Sequence, residues 1–354
     1  TPESLAPTLY RQWTRHLPQL QGAWLDQATL TVDSVYQPIA VGELLYVGSS
    51  HDDSLVAWDL ANGRQRWKFF ADGPIRYAPV AAKGRVYFAA DDGCLYCLDG
   101  RTGQLRWRVK GAPGPLRVLG NGRLISAWPA RGAPVLVDGQ VYFAASIWPF
   151  MGIFIHAVDA ETGEITWTND GTGSMYVLQP HNSPAFAGLA PQGYLAASGN
   201  ALLVPNGRSV PARLDRKTGA LQYFHLAMFR RDGGDQVAAA ERVFFNGPVG
   251  FDLATGTGST KIGDHRPPIF SGDLAYTDGR DYGDGRDFFT GVSYLAENPI
   301  TPNLGKWMLW LTGFGEGALI TLLRSRFHWF PIHPIGLIFQ YTHATFHYWN
   351  NFFI

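Results

Sequence analysis

Short runs rich in Val, Leu, Tyr and Phe punctuate the chain and alternate with polar, glycine-bearing stretches. The runs are Glu43-Leu-Leu-Tyr-Val47, Arg85-Val-Tyr-Phe88, Gln140-Val-Tyr-Phe143, Asn200-Ala-Leu-Leu-Val204 and Arg242-Val-Phe-Phe245. Runs this short, rich in β-branched and aromatic residues and bounded by Gly, Asp and Asn, predict strands. A sixth run, Gly272-Asp-Leu-Ala-Tyr276, opens a unit that the chain does not complete in the same way.

A polar turn follows each of the first five runs: Asp, then Gly four residues on, then an aromatic four further. It reads Asp59, Gly63, Trp67; Asp99, Gly103, Trp107; Asp159, Gly163, Trp167; and Asp215, Gly219, Tyr223. A fifth copy, Asp252 and Gly256, has Thr260 in the aromatic position. The spacing predicts a hairpin. The Asp carboxylate bonds turn amides, Gly supplies a positive φ, and the next strand carries a large flat side chain suited to packing between layers. Four short strands in each repeat of this length predict a β-propeller. A β-sandwich would require five in-register turns by coincidence.

At this point the residues resemble a known repeat. Ala-x-Asp-x-x-Thr-Gly-x-x-x-Trp is similar to the repeat of pyrroloquinoline-quinone-type propellers, and Ala157-Val-Asp159-Ala-Glu-Thr162-Gly163-Glu-Ile-Thr-Trp167 matches it best. That group includes quinoprotein alcohol dehydrogenases and a non-catalytic outer-membrane assembly lipoprotein. The stretch Val35 to Asn246 also resembles large quinoprotein-like propellers of planctomycete-type bacteria. The resemblance implies an all-β propeller of four-stranded blades. It says little about activity, since one fold hosts many functions.

Five full units and a partial sixth leave a closed six-bladed ring and an incomplete propeller both open. The segment Leu9 to His16 is a candidate strand for completing the last blade. The expected organisation is a lead-in over 1–35, a propeller over 36–289 and a distinct tail over 290–354.

The composition shifts in that tail. After residue 300 the charged residues are Lys306, Glu316, Arg324 and Arg326, and no Asp follows Asp287. Trp307 to Leu323 carries one carboxylate and would span about 25 Å as a helix, with arginines directly after it as at a membrane edge. Pro331 and Pro334 separate it from a second apolar run, Ile335 to Ile354. The expectation is a short α-helical tail that contacts membrane; the alternative is a helix pair packed on the propeller. Leu323-Arg-Ser-Arg-Phe327 and Trp329-Phe-Pro-Ile-His-Pro-Ile-Gly336 resemble the carboxy-terminal part of an uncharacterised multi-span family, distantly similar to oligopeptide transporters. This chain has room for one or two spans, so no transport activity carries over.

Composition narrows the function classes. The 354 residues are 46% hydrophobic and 16% charged, with no formal net charge. A broad basic face for nucleic acid is therefore not expected. Two cysteines exclude a disulfide scaffold and a four-cysteine zinc site. The opening Thr-Pro-Glu-Ser lacks the basic and apolar regions of a signal peptide, which decides nothing about compartment.

Candidate chemistry is sparse. Cys94 and Cys97 precede Asp99 on a strand, where an offset of three points them to opposite faces, so they read as structural. Quinone binding would need a stacked aromatic floor and a calcium held by carboxylates and amides, and no such set can be matched residue by residue. The carboxylates Asp278, Asp281, Asp284 and Asp287 fall at every third residue, unlike the alternate oxygen donors of calcium loops. His328, His333, His343 and His347 read as an interfacial set. Two long insertions remain, and long loops on rigid scaffolds gather binding residues. They nominate Arg123, Trp128, Arg131, His181 and Asn182 as a ligand-facing rim.

The sequence thus reads as a non-catalytic propeller that binds a protein or small molecule on its rim, tethered to a membrane in the cell envelope or periplasm. A pyrroloquinoline-quinone-dependent oxidoreductase with calcium is the first alternative, and a fragment or fusion of a transporter-like membrane protein the second.

Overall fold

Each of the five polar turns joins the third and fourth strands of an antiparallel sheet. The computed structural model describes residues 10–23, 33–120, 122–178, 184–206, 209–225, 236–258, 260–261, 267–271 and 274–276. The tail over 301–354, the carboxylates at 278–287, His181 and Asn182 lie outside the described residues.

Among the described residues, five four-stranded sheets follow one another, each with its strands in chain order. Blade one is Ile39–Val41, Leu44–Ser49, Ser54–Asp59 and Gln65–Phe70. Blade two is Val80–Ala82, Arg85–Ala89, Cys94–Asp99 and Leu105–Lys110. Blade three is Val135–Val137, Gln140–Ala145, Phe154–Asp159 and Ile165–Asn169. Blade four is Ala196–Ser198, Ala201–Asn206, Ser209–Asp215 and Leu221–Tyr223. Blade five is Val237–Ala239, Val243–Asn246, Val249–Asp252 and Thr260–Lys261. The sixth run supplies the strand Leu274–Tyr276, which pairs with Ile269–Ser271 just before it. The fold is all-β and is built from the blades of a β-propeller. The described residues form two compact units, one drawn from 1–143 and 158–165, the other from 144–157 and the residues after 165.

The third strand of blade two is apolar on both faces because each face meets another blade. Along Cys94–Asp99, Cys94, Tyr96 and Leu98 join a cluster with Leu55, Trp67 and Phe88. Leu95 and Cys97 join a second cluster with Val141, Phe143 and Val158. In the other unit Leu203, Val210, Phe244 and Phe251 form a third. A period of two with both sides buried accounts for near-continuous apolar runs in place of strict alternation.

The turns share one geometry. In blade two the Asp99 N–H donates to the Gln104 carbonyl and the Gly103 N–H donates to the Asp99 carbonyl, both at 2.8 Å. The Asp99 carboxylate accepts the amides of Arg101 and Thr102. Its pKa is held well below the usual range, by Arg106 first and by Thr102 next. Gly63, Gly103, Gly163, Gly219 and Gly256 all have φ between 65 and 78°.

The aromatic that follows each turn seats on the glycine of the next blade's turn. A Cβ on Gly103 would lie 2.6 Å from the Trp67 ring, one on Gly163 2.8 Å from Trp107, one on Gly219 2.5 Å from Trp167, and one on Gly256 2.6 Å from Tyr223. In blade one the same seat, on Gly63, is taken by Trp13. Tyr10 to His16 forms no strand. The segment still reproduces the side-chain pattern of a fourth strand. Trp13 Nε1 donates to the Leu60 carbonyl at 2.8 Å, and Arg15 donates to the Gly63 carbonyl. Asn169, two residues after Trp167, likewise donates to the Gly219 carbonyl at 2.7 Å.

Candidate functional site

Two connections in the first unit carry the same short signature. Arg76-Tyr-Ala-Pro-Val80 and Arg131-Gly-Ala-Pro-Val135 lead into the first strands of blades two and three. Both arginines turn onto Asp91, in the tight turn between the second and third strands of blade two. Arg76 Nε donates to Asp91 Oδ2 at 2.7 Å. Arg131 grips both oxygens, Nε to Oδ1 at 3.2 Å and Nη2 to Oδ2 at 2.7 Å. On its other side Arg76 Nη1 donates to Asp33 Oδ2 at 2.8 Å, and that oxygen also accepts the Ala23 N–H.

All four side chains are buried. Their charges alternate along the chain of contacts, Asp33, Arg76, Asp91, Arg131, and balance. Burial alone would raise the Asp91 pKa, but Arg131 and Arg76 outweigh it and hold the carboxyl below its ordinary value. Burial would likewise lower the Arg76 pKa, and the two carboxylates reverse the shift. Backbone bonds pin the same turn: the Asp91 N–H donates to the Pro74 carbonyl, and the Ser126 N–H donates to the Asp91 carbonyl, both at 2.9 Å. The desolvation of a buried pair offsets much of its Coulombic gain, while removing one partner strands the other's charge. Through Arg131 and Ser126 the network ties the longer connection, 111–134, to the turn of blade two.

That connection carries a hairpin, Arg117–Gly120 paired with Arg123–Ser126. Arg123 reaches back toward the body, pairing with Asp53 and donating to the His51 carbonyl. The Asp53 pKa is raised, chiefly by burial, with Arg123 opposing the shift. On the opposite face of the ribbon, Leu119 and Leu124 stand directly across from each other. They are 76% and 61% exposed, and Leu116 beside them is also exposed. In the second unit the connection after blade three carries a comparable ribbon, Met175–Leu178 with Pro184–Ala187, where Tyr176 faces Phe186 with ring centroids 6.3 Å apart.

The three described members of the expected rim therefore separate. Arg123 anchors the hairpin, Trp128 is half-buried with its ring 3.6 Å from where a Cβ on Gly114 would stand, and Arg131 lies in the ion network. Sequence reasoning missed Arg76, Asp91 and the outward leucines. The repeated Arg-x-Ala-Pro-Val would have found the arginines. The absence of any carboxylate from Gly111 to Val137 would have marked the hairpin.

The described residues do not suit a quinone with its calcium. Trp67, Trp107 and Trp167 each face a motif glycine rather than a shared floor. The buried carboxylates Asp33 and Asp91 are committed to guanidinium groups, and a dication there would sit against two buried cations. Among the described residues no group of three His, Cys, Asp or Glu side chains stands close enough to hold a metal. Cys94 and Cys97 are buried on opposite faces, and burial pushes their thiols up to about 12 and about 11.

Comparison with known proteins agrees with the architecture. Residues 11–128 match the family profile described as outer membrane protein assembly factor BamB. Residues 271–354 match a family of unknown function, DUF6785. The dehydrogenase subunit of the quinone alcohol dehydrogenase of Gluconacetobacter polyoxogenes is 30% identical over 143 residues, 37% of this chain and 19% of that protein. The corresponding subunit of Gluconobacter oxydans (strain 621H) is 28% identical over 183 residues, 48% of this chain and 23% of that one. The chain thus spans about a fifth of the length of these curated relatives. The quinohemoprotein alcohol dehydrogenase ADHIIG of Pseudomonas putida HK5 superposes with a TM-score of 0.50 at 19% identity, over 64% of this chain and 42% of that one. The repeats are thus similar to those of the assembly factor and of the quinone-dependent alcohol dehydrogenases.

Proposed function

We propose that this chain is a non-catalytic binding module of the cell envelope that engages a protein partner through the connections between its blades. The observation that carries this reading is the hairpin Arg117–Ser126. It presents two adjacent leucines to solvent from a root held rigid by a buried four-residue ion network. Exposed apolar pairs on rigid ribbons have no role in the fold's own core and suit association. The similarity to an outer-membrane assembly factor supports both a protein partner and an envelope location. The tail over 301–354 would supply membrane attachment.

Quinone-dependent oxidation is the competing reading, favoured by the similarity to alcohol dehydrogenases. The commitment of Asp91 and Asp33 to arginines weighs against it. A photo-crosslinking residue at position 119, introduced in living cells, is expected to trap one envelope protein, and the same probe at Phe70 is expected to trap none. Micromolar binding of pyrroloquinoline quinone with calcium in calorimetry would overturn the non-catalytic reading. Deleting 301–354 is expected to release the chain from membranes while leaving the propeller folded.

A further inference from the structure

We propose that the strand Arg117–Gly120 is a docking edge that accepts an extended peptide segment as a third strand, with apolar residues and a carboxylate on the face that meets Leu119, Leu124 and Arg117. This rests on the binding reading above and specifies its mode.

The hydrogen-bond phase of the hairpin carries the argument. The Ala127 N–H donates to the Leu116 carbonyl at 2.9 Å, so 116 and 127 form a bonded pair. With Arg117 opposite Ser126, Val118 opposite Ile125 and Leu119 opposite Leu124, bonded pairs recur at 118 with 125 and at 120 with 123. In an antiparallel ladder the residues between bonded pairs aim their N–H and C=O away from the partner strand. Arg117 and Leu119 therefore point theirs out of one edge, and Leu124 and Ser126 out of the other.

The two edges differ. On the Arg123–Ser126 side, the Ser126 N–H is already bonded to the Asp91 carbonyl. On the Arg117–Gly120 side, no backbone bond reaches Arg117 or Leu119 from any described residue outside the hairpin. An edge with unpaired groups is a template for strand addition.

Side chains then select the occupant. The outward face of the ribbon carries Leu119, Leu124 and Arg117, and the inward face carries Val118, Ile125 and Arg123. Arg123 and Arg131 are paired with Asp53 and Asp91. Arg117 is exposed and makes no ion pair among the described residues. From Gly111 to Val137 the sequence contains no carboxylate. An added strand with alternate apolar side chains would cover the leucine pair, and an acidic residue on the same face would meet Arg117.

The test uses the full chain and a labelled peptide, acetyl-Asp-Leu-Thr-Leu-Thr-Asp-amide, in fluorescence anisotropy. Saturable binding is expected, together with slowed amide exchange at Arg117 and Leu119. Methylating the peptide's backbone nitrogens is expected to weaken binding about tenfold or more, as loss of buried hydrogen bonds requires. Leu119→Pro, which removes an outward donor and no ladder bond, should do the same. Arg117→Glu should weaken this peptide and favour one with lysine in place of its aspartates. If the methylated peptide binds as well as the parent, or if no peptide binds at about millimolar concentration, strand addition is wrong. If the peptide fails while the crosslink from position 119 persists, the partner reads the leucine side chains alone, and the binding role survives without this mode. If both fail, both fall.

Discussion

Trp67 covers Gly103 so closely that a side chain there would force the indole to shift: an added Cβ would stand 2.6 Å from Trp67 Cδ2, and the indole Nε1 donates to the Gly100 carbonyl at 2.8 Å. The contact joins blade one to the turn of blade two, and it recurs in later blades through Trp107, Trp167 and Tyr223. The acceptor is the residue after the motif Asp each time a donor is found: Leu60, Gly100, Arg216 and Leu253. The turn glycine therefore meets two demands, a positive φ and an empty Cβ position.

Those demands can be separated by substitution. Gly84 and Gly103 share a φ of 73°, but a Cβ on Gly84 would meet nothing within 4 Å. Gly84→Ala is expected to cost about 1–2 kcal/mol, the left-handed penalty alone. Gly103→Ala should cost about 1–3 kcal/mol beyond that, because Trp67 must also move. Urea unfolding of the two variants checks the difference, and equal losses would remove the steric role of the seat.

The indoles are not equivalent. Among the described residues Trp107 Nε1 is buried without a hydrogen-bond partner, while in its seam the Tyr87 hydroxyl donates to the Ala160 carbonyl at 3.0 Å. Trp67→Phe forfeits a hydrogen bond and Trp107→Phe does not. The former is expected to be the more costly by about 1 kcal/mol, measured by chemical denaturation with each variant's m-value compared to the parent.

Asp91→Asn leaves two buried guanidinium groups short of their counter-charge. The expected loss is about 3–5 kcal/mol at neutral pH. Because the folded-state pKa of Asp91 is depressed, its stabilisation is fully present above the ordinary carboxylate pKa of about 3.9 and fades as pH falls through and below that value. The gap between parent and variant should be widest above about pH 5 and narrow in acid. A gap that stays constant from neutral to acid would show that Asp91 is not ionised in the network.

The thiols should be silent. With Cys94 raised to about 12 and Cys97 to about 11 by burial, iodoacetamide at pH 8 is expected to label neither until the chain unfolds. Mild oxidant should form no Cys94–Cys97 disulfide, since the two side chains enter different clusters. Mass spectrometry of native and denatured samples reads both outcomes.

Local patterns are sufficient for the repeats. Asp-x-x-x-Gly specifies its turn within five residues, so the hairpins, their positive-φ glycines and the flanking strands are legible from the residues alone. The opposite faces of Cys94 and Cys97 follow from the strand period. The fourth-strand aromatic is legible as a packing residue, but its seat is not. Trp67 meets a glycine of the following repeat, Gly103, and Trp13 takes the equivalent place on Gly63 from a segment that is not a strand.

The first insertion divides the same way. Its sequence identifies a long loop on a rigid scaffold, and with it Arg123, Trp128 and Arg131 as one group. The fold gives them different work, because side-chain direction in a connection is set by what lies beneath it. Arg131 turns inward because Asp91, brought there by blade two, is a buried carboxylate needing counter-charge from both sides. Leu119 and Leu124 turn outward because the ribbon's other face already holds Ile125 and the Arg123–Asp53 pair. The blades are written in the residue order, since each depends on neighbours a few positions apart. Which polar groups are buried and which apolar ones are left in water emerges only when the blades and connections meet, since burial is a property of the surfaces in contact and not of the segment that carries the residue.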